Sequence, residues 1–325
     1  MRFEMNKFSI VSLFSGCGGM DLGFLGGFKF LDKTYETRNF EIIWANEINK
    51  AACETYRHNI SDDIHHEDIW DVINELPDTS DVVIGGFPCQ DISINGKMLG
   101  VDGERSGLYR AMVETVRKVK PKIFIAENVK GLLMENNKDS LAQVMADFES
   151  LGYNVSYSLY NAANVGVPQT RERVFIVGTP SGKPKYEHPE MLADVASWVT
   201  AEQAVTDLEE VKENKETNHT WSRAKRSAQQ GGRQLKNDRP STTIRAECHG
   251  NMQFHYKLNR RVSMREAARF QSFPDEFIFK SNLRETERQV GNAVPPVLAW
   301  HIANSVERYL LSLIVSEQQK KSIVK

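Results

Sequence analysis

The chain has 325 residues, 40% of them hydrophobic and 26% charged, with a net charge of −2, the composition of an ordinary globular protein with room for about two domains or one large α/β unit. Its four cysteines, Cys17, Cys53, Cys89 and Cys248, have no C-x-x-C spacing, which speaks against a zinc knuckle or a disulfide framework and for a reducing compartment. Met1 to Lys7 lacks the apolar core of a signal peptide, and no uncharged apolar run approaches a membrane span, so the sequence predicts a cytoplasmic protein without membrane contact.

In chain order, Phe8 to Phe14 reads as a strand running into Phe14-Ser15-Gly16-Cys17-Gly18-Gly19-Met20-Asp21, a glycine-rich turn that opens a helix. It departs from the dinucleotide fingerprint because Asp21 stands where the third glycine belongs, and an acid there repels pyrophosphate. A nucleoside ligand without phosphates, such as S-adenosylmethionine, suits it better. Phe40 to Ala45 forms the next strand and ends in Asn46-Glu47, where an acid of a Rossmann-like site takes the ribose hydroxyls. After a further helix, His66-Glu67-Asp68-Ile69 offers Asp68 to an adenine amino group; metal binding by this run is disfavoured because consecutive side chains on a strand point apart.

Asp81-Val82-Val83-Ile84 is an apolar strand that leads into Gly85-Gly86-Phe87-Pro88-Cys89-Gln90. Glycine frees the backbone and proline fixes a dihedral just before the sulfur, which holds Cys89 on a stiff turn at a strand's carboxyl end. Ligands of open α/β sheets bind at that edge, and a thiol there is either a nucleophile or a buried structural cysteine. Gly107 to Lys120 reads as a helix, and Lys122 to Ala126 as a strand ending in Glu127-Asn128-Val129, where the carboxyl is either placed for general acid work or an ordinary solvent-facing acid at a strand end. Leu141, Val144, Met145, Phe148 and Leu151 mark an amphipathic helix stopped by Gly152. Strands follow at Asn154 to Leu159 and Arg173 to Gly178, the latter preceded by Gln169-Thr170-Arg171-Glu172-Arg173. The alternation of strands and helices predicts parallel βαβ units.

After Thr179-Pro180-Ser181-Gly182-Lys183-Pro184 the apolar periodicity fades. Residues 215 to 261 hold eleven Lys or Arg against three Asp or Glu, a balance of +8 that leaves −10 for the remainder. Such a segment is either a solvated basic surface or a face for a phosphate backbone. Helical patterns return at Val262 to Phe270 and at Pro295 to Leu313, where Pro295 and Pro296 suit a helix entry.

Taken together these blocks resemble the cytosine-C5 DNA methyltransferase family of the bacterial restriction-modification type. They are Ser12 to Phe24, Asn46-Glu47, Asp68-Ile69, Gly85 to Ser93, Glu127-Asn128-Val129, Gln169 to Gly178, Arg261 to Phe277 and Gln289-Val290-Gly291-Asn292-Ala293-Val294-Pro295. The resemblance covers nearly the whole chain apart from roughly 180 to 258. It implies a Rossmann-like S-adenosylmethionine-dependent methyltransferase sheet with helices on both faces. Its domain pattern is a catalytic domain over 1–182, a small irregular target-recognition domain over 183–284, and a segment, 285–325, returning to the first.

The resemblance also implies the chemistry. Cys89 attacks C6 of a flipped-out cytosine, Glu127 acts at N3 and the amino group, Arg173 holds the base with Arg171 beside it, and S-adenosylmethionine gives up its methyl group to leave S-adenosylhomocysteine. Phe14, Ser15, Gly16, Gly18, Gly19, Glu47, Ile48, Asp68, Ile69, Phe87, Leu108, Asn292 and Ala293 line the cofactor pocket in this reading. Ile48 and Ile92 stand where the family often has aromatic residues, with some loss of stacking on adenine. Ser93, Asn95, Lys97 and Arg105 of the loop after Cys89, with Arg233, Arg245 and His249 of the basic segment, are the DNA contacts it suggests. The expected partners are double-stranded DNA and a cognate endonuclease that shares the target without stable contact, the enzyme itself being a monomer. A tRNA cytosine methyltransferase on the same scaffold and an inactive DNA-binding protein are the alternatives.

Overall fold

The computed structural model describes residues 7–87, 107–224, 233–246 and 253–323. Cys89, the loop residues Ser93, Asn95, Lys97 and Arg105, and His249 lie outside the described residues.

The strands are β1 (Phe8–Leu13), β2 (Phe28–Phe30), β3 (Lys33–Tyr35), β4 (Phe40–Asn46), β5 (Val82–Gly86), β6 (Ile123–Val129), β7 (Tyr153–Asn161), β8 (Gln169–Thr170), β9 (Glu172–Pro180) and β10 (Ser241–Thr242). The α-helices are α1 (Gly19–Leu25), α2 (Lys50–Asn59), α3 (Ile69–Val72), α4 (Leu108–Val119), α5 (Lys138–Ser150), α6 (Ala201–Val205), α7 (Met264–Phe270), α8 (Leu283–Asn292) and α9 (Pro296–Ile323).

A six-stranded sheet with the order β4-β1-β5-β6-β9-β7 forms the centre. β4, β1, β5 and β6 run parallel, as the alternation of strands and helices predicts. β9 is antiparallel to both neighbours, because β7 returns into it through a short link with no crossover helix. Alternation along the strands explains the two faces. Ile123 and Ile125 of β6 and Phe175 and Val177 of β9 point to the face covered by α1 and α9. Phe124 and Ala126, with Val174 and Ile176, point to the face covered by α3, α4 and α5. Both faces are therefore dry, which is what near-continuous apolar strands require.

The chain from Tyr186 to Met191 still packs on the sheet's α9 face. A third cluster gathers Ala201, Leu235, Ile244, Val262 and the phenylalanines 270, 273, 277 and 279, and closes on Cys17 and Val290. α8, which periodicity did not suggest, starts at Asn282, whose side chain accepts from the Glu285 amide. α9 begins at Pro296, one residue after the expected entry, and runs ten residues beyond Leu313.

Candidate active site

β4 and β5 flank β1 on opposite sides, so the chain reverses its direction of travel across the sheet there, and the carboxyl ends of the strands open onto one cleft of about 800 Å³. A ligand site is expected at such a switch point. From β1 come Phe14 to Gly16, held in a tight turn: Gly18 has φ 92 and caps α1, and Phe14 itself has φ 54, a conformation unusual for a side chain other than glycine. The Ser15 amide donates to Asn46 O at 3.0 Å, which ties this turn to the end of β4.

Glu47 follows directly. Its carboxylate accepts from the Gly16 amide at 2.9 Å and from the Asn49 amide at 2.7 Å, and burial holds its pKa up against those hydrogen bonds. The stretch after α2 is drawn alongside β4 by the His65 amide, which donates to Ala45 O, and by Asn46 Nδ2, which donates to Glu67 O at 2.9 Å. That brings Asp68 beside Glu47 at the cleft, where Asp68 also caps α3 through the Trp70 amide. Ile48, 63% exposed, sits at the mouth, and Ile69, Phe87 and Leu108 add apolar lining.

β5 and β6 bring the reactive edge. Gly86 pairs with Glu127, and a Cβ at Gly86 would stand 2.9 Å from Glu127 Oε2, so glycine leaves room for the carboxylate beside the cleft. Arg173, reached from β9 because Val129 pairs with it, places its Nε 2.8 Å from Glu127 Oε1. Each side chain is 11% exposed. Burial raises the Glu127 pKa despite the pull of Arg173 and Arg171, and burial lowers that of Arg173 despite Glu127. Desolvation outweighs attraction in both partners, which suits a carboxyl that donates a hydrogen bond or a proton. Asn128 Nδ2 donates to Phe87 O at 2.9 Å, fixing the chain two residues before Cys89.

Asn292 and Ala293, at the end of α8, close the cleft opposite these strands. Of the expected cofactor residues only Gly18 does not line it; Gly18 shapes the turn and faces Tyr56 and Ile60 instead. Arg171 reaches the cleft fully buried, with both Nη atoms donating to backbone carbonyls, at Ile244 (2.9 Å) and Gly291 (2.8 Å). Arg233 and Arg245 are exposed and lie outside the lining.

The cleft also holds residues the sequence reading passed over. Arg288 and Gln289 stand in or beside a quoted block, so adjacency alone could have found them. Asn49 gave no such signal. Asp21 is buried in the cleft wall, accepting from Tyr56 OH at 2.9 Å, with its second oxygen unpartnered. Three carboxyl groups, Asp21, Glu47 and Asp68, with apolar walls and a glycine turn, make an acceptor set suited to a cationic nucleoside and a poor one for pyrophosphate.

The sequence profile of the family described as C-5 cytosine-specific DNA methylase matches residues 8–237 and 196–308. The chain is 38% identical over 341 residues to the Type II methyltransferase M.NgoFVII of Neisseria gonorrhoeae, covering 94% of this chain and 88% of that one. It is 33% identical over 353 residues to the Type II methyltransferase M.FnuDI of Fusobacterium nucleatum, covering 97% of each. Among solved structures, the Dnmt2 methyltransferase of S. pombe shares the fold with a TM-score of 0.65 at 18% identity, over 93% of this chain and 99% of that one. On this evidence the chain belongs to the family of C-5 cytosine-specific DNA methylases, enzymes that methylate C5 of cytosine in DNA with S-adenosylmethionine as donor.

Proposed function

We propose that this methyltransferase is the modification enzyme of a restriction system and works through a covalent adduct between Cys89 and one cytosine of a specific duplex site. The carrying observation is the buried pair Glu127–Arg173, which faces the cleft beside Gly86, three residues before Cys89. Relatives named as Type II methyltransferases support the biological setting.

Cytosine C5 is a weak nucleophile until something adds to C6. The Cys89 thiolate forms the S–C6 bond, and the electron pair of the C5–C6 double bond moves toward N3. Glu127, its carboxyl kept protonatable by burial, donates to N3 and holds the amino group. Arg173 fixes the orientation of that carboxyl through its 2.8 Å contact. S-adenosylmethionine, when bound, supplies an electrophilic methyl group. A base or water then removes the C5 proton, Cys89 leaves as thiolate, which restores the double bond, and N3 returns its proton to Glu127. Phe14, Glu47, Asp68 and Asn292 are the residues that hold the donor. The base must leave the duplex first, at a cost of a few kcal/mol.

Residues 183–284 are the recognition unit in this reading. Trp221 has Arg223 and Arg260 against its ring at 5.2 and 4.4 Å, each also paired with a carboxylate, Glu213 and Glu266, and the exposed Arg233 and Arg245 are the cations this reading offers to a phosphate backbone. The test is trapping on duplex DNA containing 5-fluorocytosine, at a site found by bisulfite sequencing of DNA from an expressing host. Wild type is expected to give a stable protein–DNA adduct and Cys89→Ala none, with folding and DNA binding kept. An adduct formed by Cys89→Ala refutes the nucleophile. Label transferred to tRNA rather than to duplex DNA points to the alternative substrate.

A further inference from the structure

Beside the cleft lies a buried polar cluster, of which Arg171 reaches the lining and Gln169 and Gln271 do not. Gln169, Arg171 and Gln271 are all fully buried. Gln169 Oε1 accepts from the Ile244 amide at 2.9 Å, and its Nε2 donates to Phe270 O at 3.0 Å and to Gln271 Oε1 at 2.6 Å. Gln271 Nε2 in turn donates to Val290 O at 2.6 Å and Ala293 O at 3.0 Å. Arg171 spans the same gap with its two Nη atoms on Ile244 O and Gly291 O.

Two backbones meet at this cluster. One is the strap 241–246, paired through β10 with β8 (Ser241 with Gln169, Thr242 with Thr170) and carrying Arg245. The other is the turn at the end of α8, whose Asn292 and Ala293 line the cofactor cleft. They touch directly: a Cβ on Gly291 would stand 2.4 Å from the Ala246 amide nitrogen and 2.5 Å from the Arg245 carbonyl carbon.

A guanidinium buried among carbonyls, with its Nε unpartnered, costs desolvation that no carboxylate directly bonded to it offsets. What the group provides is geometry. A planar fork bonds two carbonyls at once, whereas a lysine ammonium is a single point charge. Arg173 is the arginine that bonds Glu127 directly, and Arg171 acts on that carboxyl through its charge alone.

We propose that Arg171 is a positioning residue, not one that contacts the flipped base: it locks the 241–246 strap of the recognition unit to the Gly291–Ala293 turn of the cofactor site, so that duplex DNA and cofactor strengthen each other's binding through it. The proposal rests on the reading of 183–284 as the DNA-recognition unit. A duplex that seats the strap orders the turn, and a cofactor that seats the turn orders the strap. Linkage makes the effect reciprocal.

The test is S-adenosylhomocysteine affinity by calorimetry, with and without the site-bearing duplex, for wild type and Arg171→Lys, plus the single-turnover rate at saturating cofactor and DNA. Wild type is expected to bind S-adenosylhomocysteine more tightly on the duplex. Arg171→Lys, which keeps the charge near Glu127, should lose about tenfold of that gain, within the usual range of coupling between sites, and its saturated single-turnover rate should fall by less than that gain. Should the lysine variant fail to fold, Gly291→Ala wedges the same two backbones apart and should show the same loss of gain. An unchanged gain in the variant that folds, no gain in wild type, or a collapsed saturated rate with the gain intact overturns the inference. Failure of wild type to methylate DNA overturns the functional reading instead.

Discussion

The sheet and residues 183–284, the proposed recognition unit, solve the same problem, the satisfaction of buried backbone groups, by different means. In β6, Phe124 to Val129 pair with Gly178 to Arg173 of β9, so hydrogen bonding is local to a regular ladder. In residues 274–279 the backbone is held by side chains from elsewhere. Arg265 donates to the carbonyls of Thr217, Pro274 and Phe277; Asn218 clasps the amide and carbonyl of Phe279; Asn59 of α2 does the same for Ile278. Between Val195 and Asn282 the described residues include one strand, the two-residue β10. The backbone hydrogen bonds of the sheet therefore need no side chain to complete them, and the sheet carries Glu127 and Arg173 on its edge. The proposed recognition unit has an apolar cluster of its own but holds its irregular backbone through a few buried polar side chains.

The comparison makes a sharp demand at the sheet's edge: changing Glu127 should cost rate before it costs fold. Glu127→Gln keeps an oxygen for Arg173 Nε but removes the acidic proton, and should lower methyl transfer by about 10² to 10⁴, the usual contribution of general acid catalysis, with unchanged near-ultraviolet circular dichroism. Turnover within threefold of wild type would remove Glu127 from the mechanism.

In the recognition unit the same kind of change should cost fold. Arg265 is 2% exposed and its pKa is lowered to about 10 by burial; of its three acceptors Pro274 O also takes the Phe277 amide at 3.1 Å, so the loss falls on Thr217 O and Phe277 O. Arg265→Met should destabilise by about 3 to 5 kcal/mol in urea unfolding, from orphaned backbone acceptors. Ile176→Val in the sheet should cost only about 0.5 to 1.5 kcal/mol. Equal losses at the two positions would erase the distinction between ladder and clasp.

The same distinction explains what the sequence disclosed. β5, β6 and the helix α5 were legible because their apolar periods are local, and Glu47 and Glu127 were legible because they stand where such strands end, whereas Asp68 caps α3. The clasps were not. Asn218 and Phe279 are 61 residues apart, Asn59 and Ile278 219 apart, and no local pattern connects them. Arg171 shows the boundary: its block marked it as important, but only the carbonyls of Ile244 and Gly291 reveal that its guanidinium is occupied by backbone. The positive φ of Phe14 is likewise set by the packing of the turn and not by residue type.

Asp21 tests whether the sheet region, for all its regularity, also stores a cost at its site. The carboxylate is fully buried, accepts from Tyr56 OH on one oxygen, and has no hydrogen-bond partner on the other; Ser12, near enough to lower its pKa, has its hydroxyl 2.8 Å from that of Ser15. Burial therefore raises its pKa from 3.8 to about 6. The sign follows from linkage: a raised pKa means the folded state prefers the protonated acid, so its contribution is most favourable below about pH 4, is lost progressively as the pH rises to about 6, and stays lost above that. Over that interval the penalty amounts to about 3 kcal/mol. Asp21→Asn keeps the acceptor for Tyr56 and carries no charge, so the stability of wild type relative to this variant should fall by about that amount between pH 4 and pH 7. Urea unfolding of both proteins at intervals across this range measures it. Parallel stability curves would mean that the ionised carboxylate is satisfied after all, and that the cofactor turn stores no such cost.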